Sequence, residues 1–213
     1  VPPLSRDFYD RPTLDVAREL LGKVLVHQIG RFVTAGRIVE VEAYIGESDP
    51  ACHAAVGLTR RNEPLYGHPG FAYVYLNYGL HTLMNVVTEP QGAPAAVLIR
   101  ALEPVEGIEI MRRRRSRTTK GTVAVKSIPD EGLCRGPGNL TRAMSITLRD
   151  NRRNLCGDRL YVEDRGGAEP EIVWTPRIGI RVGTEHQWRA HVVGSASVSG
   201  RPPKLQVLEE TNQ

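Results

Sequence analysis

Gly36-Arg37-Ile38-Val39-Glu40-Val41-Glu42-Ala43-Tyr44 is the stretch on which the reading of this chain turns. It alternates with period two, which predicts a strand with Ile38, Glu40, Glu42 and Tyr44 on one face and Val39, Val41 and Ala43 on the other. Two carboxylates then share one face of an otherwise apolar strand. Burial there disfavours their charged forms and favours pairing or chemistry, although many strand carboxylates simply face solvent. Three uses stay open on spacing alone: an acid with a base, a metal site, or one base beside a structural hydrogen-bonding group.

Outward from this strand, sheet and helix mix. On the N-terminal side Pro12 opens a helix over 12–21, with Leu14, Ala17, Leu20 and Leu21 apolar and Gly22 as its stop, before a strand from Val24 to His27. On the C-terminal side Ala72 to Asn77 and Leu80 to Val87 read as a hairpin around Tyr78-Gly79, and Ala95 to Arg100 as a further strand. Pro104 is expected to open a helix with Val105, Ile108 and Met111 on its apolar stripe, and Gly138 to Leu148 another after a Gly-Pro-Gly turn. Ile172 to Trp174 and Arg177 to Val182 read as more strands. With no repeat, low-complexity tract or linker, the expectation is a single α+β domain over 1–213, with a core over about 6–200 and a tail over about 201–213.

Composition narrows the class. The 213 residues are 40% apolar and 24% charged, with 21 Gly and 15 Pro, which suits a loop-rich globule and disfavours a coiled coil. No run of about 18 apolar residues occurs, and Val1 to Arg6 lacks the basic and apolar parts of a signal peptide, so neither a membrane partner nor secretion is expected. Cys52, Cys134 and Cys156 are odd in number and widely spaced, which suits a reducing compartment.

The net charge is only +4, but its distribution is uneven. Arg112 to Lys120 holds six basic residues and no acid, while Pro64 to Thr88 has no charged side chain and four of the seven tyrosines. Tyr73 and Tyr75 share a strand face, as sheet propensity alone would allow, and Tyr78 sits at a hairpin tip with little core to cover it. Stacking a base on such a ring is worth roughly 1–3 kcal/mol. The arginine run reads either as a solvated helix end or as a phosphate contact. The turn at Gly136-Pro137-Gly138 could offer N–H groups to phosphate but lacks the lysine and spacing of a P-loop. His186 and His191 are five apart, which does not fit a helical zinc pair, and no nucleophile elbow or dinucleotide fingerprint is present, so no metal or cofactor is expected.

Taken together, Gly36 to Tyr44, Tyr73-Val74-Tyr75-Leu76-Asn77-Tyr78-Gly79, Met84-Asn85, Val97 to Pro104, Gly121-Thr122 and Leu133 to Pro137 resemble, in order, the alkyladenine (3-methyladenine or N-methylpurine) DNA glycosylase family. The resemblance runs from about Arg6 to Ser199. It implies a mixed domain with a curved antiparallel sheet, surrounding helices and a protruding β-hairpin. It also implies a monofunctional enzyme of base excision repair, acting on duplex DNA containing damaged purines (3-methyladenine, 7-methylguanine, hypoxanthine, ethenoadenine) by base flipping. Matched residue by residue, Glu42 takes the place of the general base and Arg100 that of its water-holding partner. Tyr44, His53 and Tyr75 match the residues around the flipped base, Asn85 the one that excludes guanine, and Tyr78 the intercalating wedge. Leu80 stands where the family carries Met.

The residues support that reading on physical grounds. Chemistry on a base requires extrusion from the stack, which costs a few kcal/mol and least at damaged pairs. An apolar wedge offsets part of this, and Arg112, Arg113, Arg135 and Arg142 are candidate phosphate contacts that carry no sequence information. Cleaving the N-glycosidic bond builds positive charge on the sugar, which a desolvated carboxylate stabilises while taking a proton from water. A two-residue turn at Tyr78-Gly79 would put Asn85 and Tyr75 on opposite faces, so an odd-length connection or a bulge is expected near the tip. The expected form is a monomer, located in the cytoplasm with the nucleoid in a bacterium or in the nucleus in a eukaryote. A non-catalytic nucleic-acid binding module, and a sugar hydrolase using Glu40 with Glu42, are the rival readings.

Overall fold

The structure is a computed structural model that describes residues 1–118, 121–122 and 128–200. The expected tail and Lys120 of the arginine run lie outside the described residues. Its frame is a curled, wholly antiparallel sheet. Strands β1 (Val24–Ile29), β2 (Phe32–Ile45), β3 (Ala72–Asn77), β4 (His81–Val87) and β5 (Ala95–Glu106) precede a short pair, β6 (Arg117–Thr118) with β7 (Gly121–Thr122). Then come β8 (Leu160–Glu163), β9 (Ile172–Thr175) and β10 (Arg189–Val192). The main sheet runs β3-β4-β5-β2-β1-β8, and β10 pairs with β2 and carries β9.

Helices α1 (Arg6–Tyr9), α2 (Thr13–Leu20), α3 (Ile108–Ser116) and α4 (Pro137–Met144) surround it. The core lies between sheet and helices. Val16, Ala17 and Leu20 of α2, Met111 of α3, and Leu140, Ala143 and Met144 of α4 meet Val41, Ala43, Val97, Ile99, Met84 and Val86 there, all buried. Alternation sends the neighbours of these strand residues to the opposite face, where Tyr73, Val87 and Ala96 form a smaller cluster with Tyr44 and Tyr75.

Five details differ from the sequence-based expectations. Leu14 of α2 (Thr13–Leu20, capped by Pro12) is exposed, and Val16 joins Ala17 and Leu20 in the core instead. Ile38 does not share a face with Glu40: it packs in the main core with Val41 and Leu102. Register shifts around Glu40, where β2 pairs β5, let the strand change faces at that point.

Pro104 opens no helix. It lies in β5 opposite Gly36, beside a register shift that accommodates its missing N–H, and α3 starts only after Gly107, at φ 71°. A side chain on Gly107 would run into the Val33 carbonyl, so glycine is required at that corner. Arg177 to Val182 is not a strand but an irregular segment between β9 and β10. Likewise α4 stops at Met144 because Ser145 turns left-handed, φ 59°.

Candidate active site

The hairpin of β3 and β4 has the odd-length connection that the geometry requires. Asn77 pairs with His81, leaving Tyr78, Gly79 and Leu80 as the turn, with Tyr78 at φ 49° and Gly79 at φ 68°. Tyr75 therefore lies opposite Leu83 and Tyr73 opposite Asn85, which places all four side chains on one face. That face forms one wall of a cavity of about 640 Å³, within the range of small-molecule sites. Tyr44, His53, Tyr75, Tyr78, Asn85 and Arg100 all border it, so the structure brings these six sequence-predicted residues to one place. The N-terminal turn of α4 closes another side, with Gly138 against the His81 ring and the Thr141 hydroxyl donating to the Thr82 carbonyl at 2.7 Å.

Around the rim the aromatic rings are fixed by one another. His53 Nδ1 shares a hydrogen bond with the Tyr73 hydroxyl at 2.9 Å, and the His53 and Tyr75 rings meet edge-on at 4.5 Å between centroids. Tyr73 and Tyr75 lie 5.3 Å apart, and Arg61 covers Tyr75 from outside at 5.8 Å. Asn85 donates from Nδ2 to the Tyr73 carbonyl at 3.1 Å, which fixes its amide against the wall.

Glu40 and Glu42 are both fully buried, yet their surroundings differ. Glu40 accepts from Arg100 Nε at 2.9 Å, from Arg189 Nε at 2.7 Å, and from the Ser199 hydroxyl and N–H at 2.8 and 2.6 Å. Burial raises its pKa, but Arg100, Arg189 and Ser199 outweigh this and hold it below the ordinary carboxylate value. Glu42 accepts from the Tyr44 hydroxyl at 2.9 Å on Oε2 and from the Ile178 N–H at 2.7 Å on Oε1, with Arg100 Nη1 3.1 Å from Oε2. Tyr44, Arg100 and Ile178 all border the cavity, so this carboxylate lies just behind the inner wall. Tyr78, in contrast, is 86% exposed, with Leu80 and Leu76 exposed beside it: an uncharged, apolar tip held out into solvent.

None of the four arginines chosen as phosphate contacts lines the cavity. Arg112 is committed to Asp130, Glu109 and the Ile128 carbonyl. Arg113 is exposed on α3, Arg135 is exposed and donates to the Ala196 carbonyl, and Arg142 is exposed with Nε on the Arg114 carbonyl at 3.2 Å. Arg135 directly precedes the cavity-lining turn Gly136 to Asn139.

Several residues at the site carry no mark in the sequence. Arg189 and Ser199 reach Glu40 from 149 and 159 positions away, and Ile178 reaches Glu42 from 136. Tyr73 is the exception, marked by its spacing as a same-face partner of Tyr75.

Acidification should lower the stability of the protein over two pH ranges. His27, His53 and His191 are held below their ordinary pKa of 6.5, in each case first by burial, then by groups such as Arg61 beside His53 and Arg189 beside His191. The unfolded chain then binds more protons than the folded one as pH drops below about 6.5, so stability falls there. Glu40 and Asp49 are also lowered, from 4.5 and 3.8, and add a second loss as pH falls below those values towards the folded ones. Thermal melts from pH 8 to pH 3 read this out; a flat midpoint from pH 7 to pH 5 contradicts the histidine part.

A curled sheet thus carries a ring-lined cavity, with two buried acids behind its inner wall and an exposed aromatic tip beside it. Comparison with known proteins places the chain more closely. Residues 7–196 match the model of the methylpurine-DNA glycosylase family, and the chain belongs to that family. It is 51% identical over 207 residues to a protein of Methanocella arvoryzae, covering 95% of this chain and 98% of that one. Proteins of Chlorobium phaeobacteroides (49%, covering 93% and 96%) and Chlorobaculum tepidum (44%, covering 94% and 94%) are similar. Each bears the name "Putative 3-methyladenine DNA glycosylase". The chain is thus a DNA glycosylase of methylpurine repair, a hydrolase of the N-glycosyl bond. Among the described residues no helix is long and apolar enough to cross a membrane, and no cluster of three metal-binding side chains occurs.

Proposed function

We propose that the cavity receives a damaged purine rotated out of duplex DNA, with 3-methyladenine, 7-methylguanine, hypoxanthine and ethenoadenine as its substrate class. The observation that carries this is the convergence of Tyr44, His53 and Tyr75 on the cavity whose inner wall hides the fully buried Glu42. The rings hold the base on its faces. Asn85, whose amide is fixed to the Tyr73 carbonyl, excludes guanine through collision with its exocyclic amine; its place on the cavity wall supports that role.

Glu42 takes a proton from the water that attacks C1′, and its charge stabilises the cation developing on the sugar. Arg100 binds both carboxylates and orients the water beside Glu42. The reaction is hydrolysis, in which the C1′–N bond breaks and a C1′–O bond to water forms. A cationic methylpurine leaves as the neutral base, a neutral purine takes up a proton from water as it leaves, and an abasic site and free base are the products. A single chain carries pocket and wedge together and acts as a monomer. Arg113, Arg135 and Arg142 are the exposed candidates for phosphate, whereas Arg112 would have to leave its acids.

Base release from duplexes bearing each of the four lesions tests the reading. Free base and an alkali-labile abasic site are expected; salt-sensitive binding without release overturns it. Tyr78→Ala should lower the flipped fraction, read by ethenoadenine fluorescence, by about one to two orders of magnitude, the worth of one stacked ring. Unchanged fluorescence removes Tyr78 from the wedge role.

A further inference from the structure

The ion pair Asp49–Arg177 has no part in the reaction above, yet it stands directly behind the pocket. Both side chains are fully buried, and the pairing is bidentate: Nη1 to Oδ2 at 2.6 Å and Nη2 to Oδ1 at 2.8 Å. Arg177 also donates to the Ala43 carbonyl at 3.0 Å and the Gly183 carbonyl at 3.3 Å. Asp49 accepts from the Ile45 and Ala51 N–H groups, which fixes the turn leading to His53.

Arg177 is clamped between two rings. Its guanidinium carbon is 4.8 Å from the centroid of Tyr44 and 5.0 Å from that of Trp188, and Trp188 stacks in turn on His186 at 4.0 Å. Arg177 Nε is buried without a hydrogen-bond partner, as suits a guanidinium whose surroundings there are ring faces. Tyr44 borders the cavity and Arg177 does not, so the cation covers the face of Tyr44 turned away from the base.

An aromatic ring attracts cations through its negative face, and a cation already on one face weakens the attraction for a second on the other. N3- and N7-methylated purines carry a positive charge; hypoxanthine and ethenoadenine are neutral. We propose that Arg177, held by Asp49, is a specificity-determining residue that weakens stacking of cationic purines on Tyr44 relative to neutral ones. The cation thereby narrows the advantage that charged lesions would otherwise have in the pocket. This inference rests on the proposed stacking of the flipped base on Tyr44.

Excision efficiencies for 7-methylguanine and hypoxanthine duplexes, compared as a ratio in folded variants, test it. Asp49→Asn with Arg177→Met removes both charges and keeps the bulk; the cationic-to-neutral ratio should rise about 3- to 10-fold. Arg177→Lys keeps the charge and loses the fork, so both efficiencies should fall while the ratio stays within about twofold. A ratio that ignores the charge, or moves equally with Arg177→Lys, overturns the inference. If the Met variant melts below assay temperature, Asp49→Asn with Arg177→Gln takes its place, retaining a donor for the Ala43 carbonyl. Tyr44→Ala, read against Tyr44→Phe, which loses the hydroxyl on Glu42 but keeps the ring, separates the two failures: if the Ala variant flips and excises like the Phe variant, the stacking role itself is wrong. If the Ala variant is the more impaired while the ratio does not follow charge, only the role of Arg177 is wrong.

Discussion

Glu42→Gln is expected to lower the single-turnover rate of base release by about 10²- to 10⁴-fold, the usual worth of a general base, while lesion-bearing DNA is still bound. The substitution removes one charge and keeps the shape, but its geometry has a further consequence. Tyr44, Arg100 and the Ile178 N–H are all donors, arriving on both oxygens of Glu42. A glutamine has one acceptor and one donor end, so one of these donors must face an NH2 group. Some stability is lost as well, on the order of 1–3 kcal/mol for a buried group left unsatisfied. Circular dichroism melts must therefore accompany the kinetics, with the assay run well below the melting point. Near-normal release from a folded Glu42→Gln variant would take the base role away from Glu42.

The pair of strand carboxylates was legible because alternation on one strand survives folding, whereas the choice of Glu42 over Glu40 came from the family resemblance, since spacing left their roles open. Glu40, Glu42 and Tyr44 lie near one site as their spacing required, while the register shifts around Glu40 redirected Ile38 into the core. A bulge depends on which partner strand is present, and no local pattern in β2 encodes it. The odd hairpin turn was legible for a different reason: two side chains needed on one face constrain the parity of the loop between them. Pro104 misled because a proline suits both the first turn of a helix and an irregular strand position, and the choice was made by Gly36 across the sheet. The ion pairs were out of reach altogether. Asp49 and Arg177 are 128 positions apart, and the segment holding Arg177 and Ile178 has no regular structure, so neither periodicity nor motif pointed to it.

Those long-range pairs also give the two carboxylates of one strand different surroundings. Glu40, Glu42, Arg100 and Arg189 form a buried group of two acids and two bases, and Asp49 with Arg177 adds a balanced pair next to it. Four donors saturate Glu40, so it has little capacity left for water and serves to hold both guanidiniums. Glu42 shares Arg100 with it and, among the described residues, otherwise accepts from the hydroxyl of Tyr44 and the N–H of Ile178, two residues that border the cavity, so under the proposed function it is the carboxylate nearer the attacking water. Under the proposed function Glu40 acts as a positioning residue through Arg100, which contacts both carboxylates.

Glu40→Gln should therefore damage the fold more than the chemistry. It leaves Arg100 and Arg189 buried, 7% exposed each, with one negative charge too few between them. Breaking a buried pair from one side costs about 3–5 kcal/mol, which for a chain of this size lowers the melting temperature by about 6–20 °C. Glu40→Gln combined with Arg189→Met restores the charge balance and should be less destabilised than the two single changes summed, by about 0.5–3 kcal/mol. Chemical denaturation of the four proteins measures that coupling directly. Strict additivity would mean that Arg189 does not sense Glu40 across the 2.7 Å contact, and a neutral Glu40→Gln would mean that Ser199 alone suffices to anchor this end of the site. Base release by the double variant at low temperature should remain within about tenfold of wild type, because Glu42 and its Tyr44 and Ile178 donors are untouched. A far larger loss would mean that Glu40 does more than hold the fold, either through Arg100 or as the proton acceptor, and the residual rate of Glu42→Gln decides between the two.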